Sequence, residues 1–135
     1  MDEELCLVDS GTTNSILRET KYFQTLTKKQ ENVLTIAGRD ATIVGTGRAT
    51  IVLPMCTHIT IEDALLYPNS KRTLLNYQDI RQNSFHIETG DDSNEEFLLI
   101  TKTNGYGKQI VEQIPSFPSG LYYTYIKPYH MLRIR

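Results

Sequence analysis

The residues best suited to chemistry stand near the start of the chain, in "LCLVDSGTTNSIL" at residues 5–17. An apolar run ends in Asp9, Ser10 and Gly11, passes through Thr12 and Thr13, and turns apolar again at Ile16 and Leu17. A hydrolytic carboxylate needs a strand to carry it, a glycine to admit another backbone, and neighbouring hydroxyls or amides to orient it. This stretch supplies all three. Asp, Ser and Gly are also the ordinary residues of a tight turn. The flanking apolar segments favour the first reading and leave the second open.

Hydrolysis of a peptide bond by carboxylates needs two acids that share one proton, because like charges at that distance do not both ionise. The sequence holds no second Asp-Ser/Thr-Gly. Its nearest copy, Glu88-Thr89-Gly90, lies beside Asp91, Asp92, Glu95 and Glu96, a segment that reads as a solvated hairpin tip. One chain is therefore one carboxylate short. A two-fold homodimer would bring Asp9 and its symmetry mate together at the axis.

Other constellations are weaker. Cys6 and Cys56 lack C-x-x-C spacing and clustered histidines, so no metal site is expected, and the pair reads as two reduced thiols. Cys56 and His58 alternate in a strand-like segment with no third group to orient them. The acidic stretch 91–96 lacks calcium-loop spacing. Tyr122, Tyr123 and Tyr125 suit either a binding platform or a half-buried strand. With 135 residues and a net charge of -2, the chain fits one domain with no basic excess for nucleic acid. No apolar run reaches the ~18 residues needed to span a bilayer. Met1 is followed by Asp2-Glu3-Glu4 rather than a basic and then apolar segment, so no signal peptide is expected.

The elements that must position Asp9 read mostly as strands. Residues 33–37 and 41–44 flank Gly38-Arg39-Asp40 as a hairpin, and residues 48–53 form a further strand after Gly45-Thr46-Gly47. Residues 58–62 alternate cleanly, and 64–67 stop at Pro68. The segment 71–82, "KRTLLNYQDIRQ", lacks Gly, Pro and a β-branched run, and is the one helix expected. Strands follow at 85–88, 97–102, 109–114 and 121–126, with Asn104-Gly105-Tyr106-Gly107 as a strong turn. The pattern is that of an all-β barrel or sandwich.

Three stretches together resemble one family: "CLVDSGTTNSIL", "VLTIAGRDATIVGTGRATIVLP" and "IEDALLYPNSKRTLLNYQDIRQNSFHIE". They look like the aspartic protease domain of a Ty1/copia-type retrotransposon Gag-Pol polyprotein, most similar to those of plant elements. The closing "SGLYYTYI" also resembles the segment before the integrase region of such polyproteins. The resemblance covers 5–126. It implies a protease domain over 1–126 and a tail or linker over 127–135.

The fold implied is a retropepsin-like closed β-barrel with one short helix, active as a two-fold homodimer. The activity implied is an aspartic endopeptidase without cofactor or metal. It would process an extended peptide of its own polyprotein in the cytoplasm, inside a virus-like particle, without contacting nucleic acid or membrane. Asp9 would be the catalytic acid, Ser10 would hydrogen bond across the axis, and Gly11 would lie against substrate. Thr12 and Thr13 would support the loop, with Leu74, Leu75 and Asn76 packed behind it. Ala37, Gly38, Arg39 and Asp40 would form the flap. Asn76 departs from the family, standing where retroviral relatives have Gly and copia-like ones usually have Ser. Asn tolerates unusual backbone angles, which would preserve the geometry there. The alternatives are an inactive β-barrel used for peptide binding or assembly, and a domesticated host protein with a new partner.

Overall fold

The computed structural model describes residues 3–34, 40–92 and 94–129. Ten strands and one α-helix make up these residues, with a single 3-10 turn at Thr20–Tyr22. The strands are β1 (Glu4–Asp9), β2 (Ile16–Leu17), β3 (Thr27–Leu34), β4 (Asp40–Val52), β5 (His58–Leu66) and β6 (Thr73–Asn76). After α1 (Tyr77–Arg81) come β7 (His86–Asp92), β8 (Glu95–Asn104), β9 (Gly107–Pro115) and β10 (Tyr122–Pro128). The fold is all-β, as the sequence indicates.

Seven strands form one sheet in the order β10-β1-β6-β2-β5-β4-β3. This sheet curls until β10, already paired with β1, also meets β4 at Lys127↔Val52 and Pro128↔Ile51. β10 therefore runs two residues past the boundary expected at 126. The remaining strands form a separate three-stranded sheet, β7-β8-β9. Leu98, Ile100 and Ile114 of that second sheet join Ile51, Ile59, Ile61 and Ile126 of the first in a single buried cluster. Each fully buried aliphatic side chain contributes about 1.5–3 kcal/mol, so the shared cluster holds the two sheets together.

Three expectations need correction. The helix expected over 71–82 is a strand followed by a helix of five residues. Residues 73–76 pair with β1 on one edge and with β2 on the other, and they bury Thr73 and Leu75. Helix propensities differ by only a few tenths of a kcal/mol per residue, so pairing and burial prevail. Next, Gly45-Thr46-Gly47 does not interrupt a strand, because β4 runs through it with a register shift at Gly47/Ala49. The glycine is needed for close approach: a Cβ on Gly47 would stand 2.0 Å from the Thr25 carbonyl oxygen. Finally, the acidic hairpin tip is much shorter than expected, since β7 and β8 pair as far as Asp92↔Glu95.

β3 and β4 pair antiparallel, as a hairpin requires, but β3 begins at Thr27 rather than 33, Asp40 pairs with Leu34 instead of standing in the turn, and residues 35–37 of the expected strand lie outside the described residues. Asp40 is thus the first residue of β4, while Ala37, Gly38 and Arg39 lie outside the described residues. The turn at Asn104–Gly107 joins β8 to β9, with Gly107 at φ 111° as a left-handed glycine position. Both cysteines are free; Cys6 is buried, and Cys56 sits in the exposed turn before β5 rather than in a strand with His58. Burial pushes the Cys6 thiol far up, so it is inert as a nucleophile. No helix among the described residues is long and apolar enough to cross a membrane.

Candidate active site

Asp9 is the last residue of β1, and Gly11 donates its backbone N–H to Asp9 Oδ1 at 2.8 Å. A Cβ on Gly11 would stand 3.3 Å from that same oxygen, so the glycine lets the loop fold back onto the acid. Asp9 is half-buried, and Ser10, Gly11 and Thr13 are exposed.

The loop from Ser10 to Ser15 crosses the end of β6, because β6 lies between β1 and β2. It pairs parallel to β1, with Val8↔Leu75 and Asp9↔Asn76, and antiparallel to β2, with Ile16↔Leu74. Asn76 is 5% exposed and closes this arrangement from beneath. Its Nδ2 donates to the Thr12 carbonyl, and its Oδ1 accepts the Gln78 N–H at 2.5 Å as the N-cap of α1. The Asn76 backbone N–H donates to Ser15 Oγ at 2.9 Å, and Ser15 Oγ donates to Asp79 Oδ2 at 2.6 Å. Thr12 Oγ1 donates to the Asn14 carbonyl at 2.7 Å, which braces the loop internally. Asn76 has φ -81° and ψ 140°, ordinary extended angles. The expectation that Asn serves there by tolerating unusual angles is therefore corrected: its amide serves, by capping the helix and tying down the loop.

Of the residues singled out in the sequence, the structure brings Asp9, Gly11, Thr12 and Asn76 together, with Leu75 buried under them. Leu74 points to the other face and is half-buried. Ser10 and Thr13 line an open cleft of about 350 Å³ with Thr12, Asn76, Tyr77, Gln78 and Arg81. Asp9 is not part of that lining, so the cleft lies on the helix side of the loop. Ser15, Asp79 and Tyr77 were missed in the sequence. The spacing Asn76-x-x-Asp79, a cap followed three residues later by an acid, is the signal that would have placed the helix start. Burial raises the Tyr77 hydroxyl pKa, and the Asp9 carboxylate beside it raises it further, so Tyr77 stays protonated next to the acid.

The side of the sheet that Asp9 ends on is apolar. Leu7, two residues back along β1, pairs with Tyr123 on one side and Leu74 on the other. The row continues through Leu74↔Ile16 and Ile16↔Leu65. Leu7, Leu74, Ile16 and Leu65 are half-buried, each flanked along the chain by two buried residues. Alternation of side chains therefore sets the row on the outer face, beside Asp9.

A family model described as "Pol polyprotein, beta-barrel domain" matches residues 6–85, more than half of the chain and all of the Asp9 loop, β6 and α1. The chain belongs to this family. No curated protein and no solved structure matches it. The matched residues thus hold β2 to β6, α1 and most of β1, six of the seven strands of the larger sheet, whereas β7, β8, β9 and β10 lie beyond them. Within the matched region no group of three or more His, Cys, Asp or Glu side chains is arranged to hold a metal, among the described residues.

Proposed function

We propose that this Pol beta-barrel domain is an aspartic endopeptidase of the Ty1/copia type, retropepsin-like, with the curled sheet as a closed barrel. It works as a homodimer that matures the polyprotein containing it, in a cytoplasmic virus-like particle. The observation that carries the reading is Asp9 at a strand end, fixed by the Gly11 amide, above an apolar row on the outer face. The two Asp9 carboxylates share one proton across the axis. One takes a proton from the attacking water, and the other protonates the carbonyl oxygen of the scissile bond. Ser10, exposed beside Asp9, hydrogen bonds across the same axis.

The substrate is an extended peptide, added as a strand between the row and the β3–β4 hairpin, whose 37–40 end serves as the flap. Its apolar side chains fill the outer face, and its backbone bonds supply affinity with little sequence choice. A second reading, a peptide-binding or assembly barrel without catalysis, draws on one observation: the chain carries a single Asp-Ser-Gly and no second copy of it.

The test is processing of a polyprotein fragment with its flanking junctions by intact protein and by Asp9→Asn, at mildly acidic and neutral pH. Cleavage by the intact form alone, with specific activity rising with protein concentration, is the expected result. Equal cleavage by both overturns the role of Asp9. A folded dimer that cuts in neither form leaves the binding barrel as the better description.

A further inference from the structure

The strand that completes the outer face lies outside the matched family region, and it is aromatic. β10 runs antiparallel to β1 with Leu7↔Tyr123 and Leu5↔Tyr125, so Tyr123 and Tyr125 stand on the face that carries Leu7 and ends at Asp9. Phe117 stacks on Tyr123 with ring centroids 4.1 Å apart and planes 15° from parallel. Tyr123 in turn meets Tyr125 edge to face at 6.4 Å. Tyr125 is 47% exposed, although a strand of this kind would gain from covering it. The loop that brings Phe117 back is itself held, since Phe117 N–H donates to the Leu121 carbonyl at 2.8 Å and Gly120 N–H to the Phe117 carbonyl at 2.8 Å. The loop thus holds Phe117 against Tyr123, and Tyr125 extends the pair along the same face.

We infer that Phe117, Tyr123 and Tyr125 form a subsite for a bulky apolar or aromatic side chain of the peptide, contributed by β10 and contiguous with the row beneath Asp9. The inference rests on the peptide-binding reading of that face. From Tyr123 across Leu7, Leu74 and Ile16 to Leu65 there are four strand spacings, about 19 Å in all. An extended peptide covers that distance with about six residues. Its occupant is chosen by chemistry: the rings present flat apolar faces and no charge, and an aromatic side chain stacks on such a surface with little ordering cost. Leu7 is one strand spacing, about 5 Å, from Tyr123. The side chain read by the rings therefore belongs within about two residues of the bond facing Asp9. The opposite end of the row, at Leu65, is purely aliphatic and offers no such stack.

The test uses short fluorescein-labelled peptides with a central pair of leucines and a single Phe or Ala moved through the flanking positions. Binding is measured by anisotropy to the full chain carrying Asp9→Asn, and cleavage by the unaltered chain. The expected result is one flanking position where Phe binds about ten-fold tighter than Ala. That preference is lost in Tyr123→Ala and in Phe117→Ala, and retained in Tyr123→Phe. Circular dichroism and urea unfolding show which variants are folded, and Tyr123→Phe keeps the ring if the alanine variants are not. Phe preference in binding without any cleavage upholds the subsite and overturns the protease reading. Cleavage with no Phe preference at any position upholds the protease and overturns the subsite. A shift from dimer to monomer in Tyr123→Ala, with peptide preference unchanged, also overturns it and makes the rings an interface between copies.

Discussion

Asp9-Ser10-Gly11 and Glu88-Thr89-Gly90 share a pattern of acid, hydroxyl and glycine, and the molecule uses them in opposite ways. Asp9 ends a strand at the edge of a loop that is tied to β6 and α1 at Thr12 and Ser15, through Asn76 and Asp79. Glu88 lies inside β7, opposite Leu99, and both its oxygens take Lys108 Nζ at 2.9 Å on an exposed surface. Gly11 faces the Asp9 carboxylate, whereas Gly90 faces Leu99 Cδ1. A tripeptide acquires chemical meaning only from what stands behind it. Asp9 has a buried amide network there, and Glu88 has a lysine in water.

The sharpest way to break this comparison is at the acids themselves. Asp9→Asn lowers kcat/KM for a junction peptide by more than about a thousand-fold. Glu88→Gln leaves it within about two-fold, because an exposed ion pair contributes at most about 1 kcal/mol to stability and nothing to the site. Equal losses from the two substitutions would remove the distinction.

The supporting residues come next. Asn76→Ala removes the helix cap and the tie to the Thr12 carbonyl, and costs about 2–3 kcal/mol in urea unfolding. Thr89→Ala, on the exposed partner segment, costs less than about 1 kcal/mol. A smaller loss at Asn76 than at Thr89 would mean that the network under the loop does not hold it.

The glycines separate activity from stability. Gly11→Ala pushes the Asp9 carboxylate by a few tenths of an ångström and lowers kcat about ten-fold with little change in melting temperature. Gly90→Ala displaces only the tip of Leu99, and it changes stability by less than about 1 kcal/mol while leaving kcat alone. The contrast is read by pairing kinetics with thermal melts for both variants.

The smallest effect is in alkali, where the second sheet meets the first. The Tyr122 hydroxyl donates to Glu96, and this bond to a carboxylate pushes its pKa up to about 12. The folded state therefore holds the proton over a range in which the unfolded chain, near the ordinary pKa of about 10, has lost it. This contribution is present in full below about pH 10 and disappears as the pH rises toward 12. Tyr122→Phe flattens that part of the stability profile, measured by urea unfolding at stepped pH. Because the bond between the Tyr122 hydroxyl and Glu96 is exposed, screening keeps the difference small.

The carboxylate of Glu112 also joins the two sheets, without chemistry. It is 2% exposed and accepts the Met55 and Thr57 amides, which fastens β9 to the turn before β5. Nothing in "VEQIP" marks this glutamate as buried, since its neighbours Val111 and Gln113 are ordinary strand residues. Only the contact between the sheets makes it a partner for those amides.

By itself the sequence determined that the chain is rich in strands, that an apolar run carries Asp9 to its end, that Asn104–Gly107 turns, and that 121–126 is an aromatic strand. These are local matters of alternation, turn chemistry and side-chain type. Tertiary structure alone decided that residues 73–76 are a strand threaded between β1 and β2 rather than a helical turn. It also decided that β10 returns to both β1 and β4, and that Leu7, Leu74, Ile16 and Leu65 line up across four strands. The reason is physical. Val8 meets Leu75 and Leu7 meets Tyr123 only after long stretches of chain have folded back, and a pairing of that range leaves no period in the residues that make it.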